Sequence, residues 1–217
     1  MFKFTNDGKA LVMALGEAGV PGNDNAHFAR PTDIAWLPDG TFFVTDGYIN
    51  TRVVKFDKNG RFVKQVGSEN AGPEPSQFNT PHGIAVDGNG NVYVADRGNN
   101  RMQVFDNNLV LKSIYDNIGV SWTVCISPGP HQYLFTSNSN PNGNTPGSWD
   151  ITGEIYKAEL DGKVLGRFGR PSKVAPGFQV VHMIDCRNAN EIIVGEIESW
   201  RVQKLILKPP AGNGGAQ

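Results

Sequence analysis

At 217 residues the chain is long enough to bury a sizeable core, and its ordinary globular composition carries an excess of glycine and proline, 26 and 14 residues, that suits many tight turns. A net charge of −1 gives no long-range field for nucleic acid or an anionic membrane, so neither is expected as a partner. No apolar run approaches the ~20 residues of a membrane span, and the start MFKFTNDGKALV lacks the apolar centre of a signal peptide. As written, the chain reads as cytoplasmic, although a longer precursor could be exported. In chain order, the opening FKFTNDGKALVMALG predicts two strands. Residues 28 to 67 and 78 to 115 then share one pattern: Phe, Pro-x-x-Ile-Ala, a Gly turn, x-Val-x-Asp, Asn, Arg-Val or Arg-Met, Phe, and a last strand. Each predicts four short strands joined by Asn-Gly or Asp-Gly turns. A looser copy spans 121 to 169, with an insertion, NSNPNGNTPGSWDIT, after its second strand. A fourth runs from 178 to 207 without an obvious fourth strand, and the opening segment aligns with only the second half of a repeat.

Four-stranded units repeating about every 50 residues stack radially, so the expected fold is an all-β β-propeller of which this chain covers about four and a half blades. Residues 1–208 are read as a single domain forming part of a ring, and 209–217, rich in Pro, Gly and Ala, as a disordered tail. In a propeller the first strand of each blade lines the channel. Its second residue is a ring position, and those residues here are Thr32, His82, Thr123 and His182. Cys125 and Cys186 lie in apolar strand contexts, WTVCISP and HMIDCRN, and are expected as small buried hydrophobes and not as a disulfide. His27 and His131 lie in loops and are not expected to bind metal. Arg52 and Arg101 are expected to pair with the strand-end carboxylates Asp46 and Asp96.

The rhythm Asp-x-x-Asn-x-Arg-Val, as DGYINTRV, DRGNNRM and more loosely EIESWRV, resembles the NHL repeat, whose propellers are usually six-bladed. Within that group, HFARPTDIAWLPDGTFFVTDGYINTRVVKF, PHGIAV with VADRGNNRMQVF, and HMIDC resemble the catalytic core of the peptidyl-α-hydroxyglycine α-amidating lyases. The resemblance implies a zinc held by three strand-start histidines, with a tyrosine and arginines acting on a peptide-derived substrate. Carried over residue by residue, it makes His82 and His182 two zinc ligands, Tyr48 the active-site tyrosine and Arg97 a substrate-side arginine. The third histidine would lie one blade before Thr32, upstream of Met1. The position of the family's calcium aspartate is Met183, which leaves a structural calcium without that ligand. The positions of the disulfide cysteines of animal members are Ala29, Ile49, Tyr93 and Val104, which fits a bacterial-type relative.

Histidine on alternate blades would converge on the axis of a six-bladed ring, as a catalytic zinc with an open position requires. The loop from Asp46 to Arg52 is one residue longer than its counterparts, Asp96 to Arg101 and Glu196 to Arg201, and is expected to re-aim Tyr48 toward the channel. Three function classes follow: a metal-dependent lyase cleaving the C–N bond of an α-hydroxyglycine-like amide, a metal-dependent hydrolase of lactones or phosphotriesters, and a non-catalytic NHL binding module. Open blade edges at both ends predict a homo-oligomer.

Overall fold

The computed structural model describes residues 1–139, 153–188 and 190–207. The chain divides into two compact units, Met1–Asp116 and Asn117–Gln217. Most of the inserted loop, 140–152, and the tail from residue 208 onward lie outside the described residues.

The first unit opens with a two-stranded antiparallel sheet, β1 (Phe2–Phe4) and β2 (Leu11–Ala14). It continues with a four-stranded meander of β3 (Pro31–Trp36), β4 (Phe42–Asp46), β5 (Thr51–Phe56) and β6 (Phe62–Ser68). A second meander has β7 (Pro81–Val86), β8 (Val92–Asp96), β9 (Arg101–Phe105) and β10 (Leu111–Tyr115). Three of the hairpins close at glycine, with Gly40, Gly60 and Gly90 at positive φ, whereas the β8–β9 and β9–β10 turns place Asn100 and Leu109 there. Asp57, Asp87 and Asp106 brace the following turns by accepting backbone N–H groups two and four residues ahead. Every residue of β4 and β8 and nearly every residue of β5 and β9 is buried, whereas the outer β6 and β10 are exposed or half-buried throughout, because the inner strands of each sheet are covered on both faces. Phe43, Phe78, Phe105, Val92, Val94 and Ile84 form one core between the meanders, and each such fully buried side chain stabilises by roughly 1.5–3 kcal/mol.

The second unit holds a four-stranded meander, β11 (Val124–Ile126), β12 (Leu134–Asn138), β13 (Glu154–Ala158) and β14 (Val164–Phe168). A three-stranded one follows, β15 (Val181–Asn188), β16 (Glu191–Glu196) and β17 (Arg201–Ile206). Phe135, Ile155, Phe178, Ile184 and Ile192 pack between them. The expectation for the cysteines is corrected here. Cys125 on β11 and Cys186 on β15 form a disulfide, with Cα atoms 6.0 Å apart. Apolar context was a poor guide because the bond joins the first strands of two sheets in contact, a proximity that 61 residues of separation conceal.

The repeated Asp…Arg rhythm has one physical cause. Arg52 pairs with buried Asp46 at 3.1 Å, and Arg101 with buried Asp96 at 2.7 Å, as the sequence reading expects. Arg201 pairs with Glu196 at 2.7 Å. Each arginine also donates to carbonyls of the segment entering its sheet: Asp24 and His27 for Arg52, Pro73 and Gln77 for Arg101, Lys173 and Gly177 for Arg201. The same carboxylates accept a backbone N–H just before the first strand, from Ala29, Asn79 and Gln179. The next residues, Arg30, Thr80 and Val180, all have positive φ, which is costly for side chains with a Cβ and persists only where the surroundings over-determine it.

Candidate functional site

That entry geometry decides where the ring residues point. The β3–β4 register skips between Pro31 and Asp33, the β7–β8 register between Pro81 and Ile84, and the β15–β16 register between Val181 and Met183. Thr32, His82 and His182 therefore each sit in a β-bulge, a device that re-aims a side chain. In the looser repeat the carboxylate is replaced by Asn138, whose amide oxygen takes the Val120 N–H, and Thr123 precedes β11 with its Oγ1 buried and unpartnered among the described residues.

In the first unit three of the four residues singled out by sequence come together. His82 is buried, 3% exposed, and its Nε2 lies 3.2 Å from the Tyr48 hydroxyl, with the two rings edge to face. Arg97 Nη1 donates to the same phenol oxygen at 3.4 Å, and its guanidinium sits 5.4 Å from the Tyr48 ring centre. With Arg97 donating into the oxygen, the phenol hydrogen is free to point to the imidazole nitrogen. Tyr48 itself is 48% exposed, so one face of this polar cluster meets solvent. The loop that carries it passes so close to β7 that a Cβ on Gly47 would lie 1.9 Å from the Pro81 carbonyl oxygen, which only glycine permits. Sequence reasoning noted the extra loop residue and missed Gly47; the signal was the Gly directly before Tyr48. It also missed Asp33, whose carboxylate accepts the Ile84 N–H at 3.0 Å. Burial pushes the Asp33 carboxyl up, against the lowering by its two backbone donors, Ile84 and Ile34.

His182 belongs to the second unit. Its ring meets the Trp122 ring edge to face at 5.6 Å and borders an open hollow of about 400 Å³ with Met183, Ile197, Trp200 and Val202. A larger hollow of about 840 Å³ runs along β14 and β17 and holds none of the four residues. The loop histidines have carboxylate partners, Asp24 for His27 and Glu159 for His131. Among the described residues, no group of three or more His, Cys, Asp or Glu side chains is placed to hold a metal ion. Among the described residues the zinc implied by the resemblance thus has no set of three ligands.

The NHL repeat family matches residues 78–105. By fold the chain is also similar to a structure of a nidogen/laminin complex, with TM-score 0.60 and 14% identity over 81% of this chain and 60% of that one. Fold and repeat define an all-β chain of the NHL propeller type. By sequence it is similar to a probable peptidyl-α-hydroxyglycine α-amidating lyase of Caenorhabditis elegans, 30% identical over 91% of this chain and 55% of the relative. It is also similar to peptidyl-glycine α-amidating monooxygenase B of Xenopus laevis, 42% identical over 94% of this chain and 23% of the relative. The chain thus spans about half the length of the first relative and about a quarter of the second.

Proposed function

We propose that this chain carries the tyrosine-centred half of a lyase site acting on peptidyl-α-hydroxyglycine, releasing a peptide amide. What supports the reading is the meeting of Tyr48, His82 and Arg97 around one phenol oxygen, together with relatives named for that activity over most of this chain. The substrate is a carbinolamide, an N–CH(OH)–COO⁻ unit. Tyr48 takes the proton of the carbinol hydroxyl while passing its own to His82 Nε2. The O–H electron pair becomes the C=O bond of glyoxylate, and the C–N bond breaks toward nitrogen. The amide nitrogen then takes a proton from the Tyr48 phenol, to which His82 returns the one it holds, so the peptide amide leaves neutral and the pair is restored. Arg97, whose guanidinium donates to the phenol oxygen, supplies the positive charge that faces the substrate carboxylate.

The test is to incubate purified protein with a short peptide ending in α-hydroxyglycine and to follow amide and glyoxylate by chromatography and mass spectrometry. Equal amounts of both, formed well above the rate in buffer, are expected. No acceleration over buffer refutes the reading.

A further inference from the structure

The ring position before His82 is Thr32, and the structure gives it a task. Where the β7–β8 register skips between Pro81 and Ile84, the backbone around His82 departs from its own sheet's ladder and is held by the preceding sheet. Thr45 Oγ1 donates to the His82 carbonyl at 2.9 Å. Thr32 Oγ1 lies 2.9 Å from the Pro81 carbonyl and 2.8 Å from Thr45 Oγ1, so the two hydroxyls form a chain that ends on β7. The Asp33 carboxylate takes the Ile84 N–H on the far side of the bulge. Thr45 is fully buried, and the hydroxyl pair faces a backbone whose polar groups must be satisfied somewhere. Tyr48 follows Thr45 by three residues, so one strand end supplies both the phenol that meets the His82 ring and the hydroxyl that holds its backbone.

We propose that Thr45 and Thr32 are positioning residues for His82, fixing the bulge so that its ring nitrogen meets the Tyr48 oxygen. The inference rests on the lyase reading only for its kinetic arm. The first arm follows the ring-nitrogen resonances of histidine in full-length protein labelled on its four histidines. Thr45→Val is expected to move the His82 resonances while those of His27, His131 and His182 stay in place, and Thr45→Ser, which keeps the hydroxyl, is expected to restore them. In the lyase assay Thr45→Val should lower kcat on the order of 10²-fold with KM little changed, as for a misplaced reacting group. Thr32→Val should act in the same direction and serves if Thr45→Val does not fold. Unmoved His82 resonances in a folded valine variant overturn the proposal, and so does a serine variant that behaves like valine. Failure of both valine variants to fold also overturns it, in favour of a purely structural role. A wild-type protein silent in the lyase assay defeats the proposed function and leaves the resonance arm to decide this one.

Discussion

Tyr48→Phe separates chemistry from stability. The substitution keeps the ring, its edge contact with His82 and its place under Arg97, and removes only the hydroxyl. That hydroxyl makes two long hydrogen bonds, 3.2 and 3.4 Å, on a side chain 48% exposed. Their net worth to folding is about 1 kcal/mol at most, which shifts a melting midpoint by roughly 2–4 °C in a chain of this size. If the phenol takes the carbinol proton, its loss costs ~10²–10⁴-fold in rate, or about 3–5 kcal/mol of transition-state stabilisation. The expected result is a kcat lower by two decades or more beside an almost unchanged melt, measured on peptidyl-α-hydroxyglycine with glyoxylate as the product read. Full activity in Tyr48→Phe beside an inactive His82→Ala refutes the role of Tyr48 and moves the proton acceptor elsewhere.

Glu196→Gln tests the strand-end clamp of the second unit. Burial pushes this carboxyl up, but the donors Arg201, the Gln179 N–H and Gln203 outweigh burial and hold it below its ordinary 4.5. Its contribution is therefore present above the unfolded value and lost as pH falls through the lower folded one. The variant should lose about 1–3 kcal/mol at pH 7 in denaturant melts, and a gap that stays constant down to pH 3 contradicts this. For the Cys125–Cys186 bond, thiol titration of native protein should find no free cysteine, and a reductant should cost on the order of 4 kcal/mol for a closed loop of this length; an unchanged denaturation midpoint in reductant rejects the bond as a staple. Among the described residues the outer edge of β17 is unpaired, and Val202 and Ile206 are about three-quarters exposed there, so association through this edge is expected in light scattering. A monomer at micromolar concentration with a cooperative melt counts against it.

The repeats and the turn glycines were legible because each is written in local residue types: Asn-Gly and Asp-Gly steps, β-branched runs, and an arginine five or six residues after a carboxylate. The disulfide was not, since no local pattern reports that β11 and β15 lie side by side. The ring positions were legible as alignment columns, but the reason they differ from their strands was not. Sequence comparison sees Thr32 and His82 as alternatives at one place. The structure shows that the backbone device is common to both and to His182: a strand-end carboxylate holding the N–H three residues earlier, a left-handed residue next, then a bulge. Because that device is built from the clamp residues and not from the ring residue itself, the side chain at the bulge can differ from blade to blade without altering the entry geometry. In one blade it is a hydroxyl that steadies the neighbouring backbone, and in the next an imidazole held against a phenol. The ring residue of the first unit can thus change from a hydroxyl to an imidazole on a frame that the Asp…Arg rhythm keeps constant, while Tyr48 and Arg97 reach the imidazole from beyond the second strands.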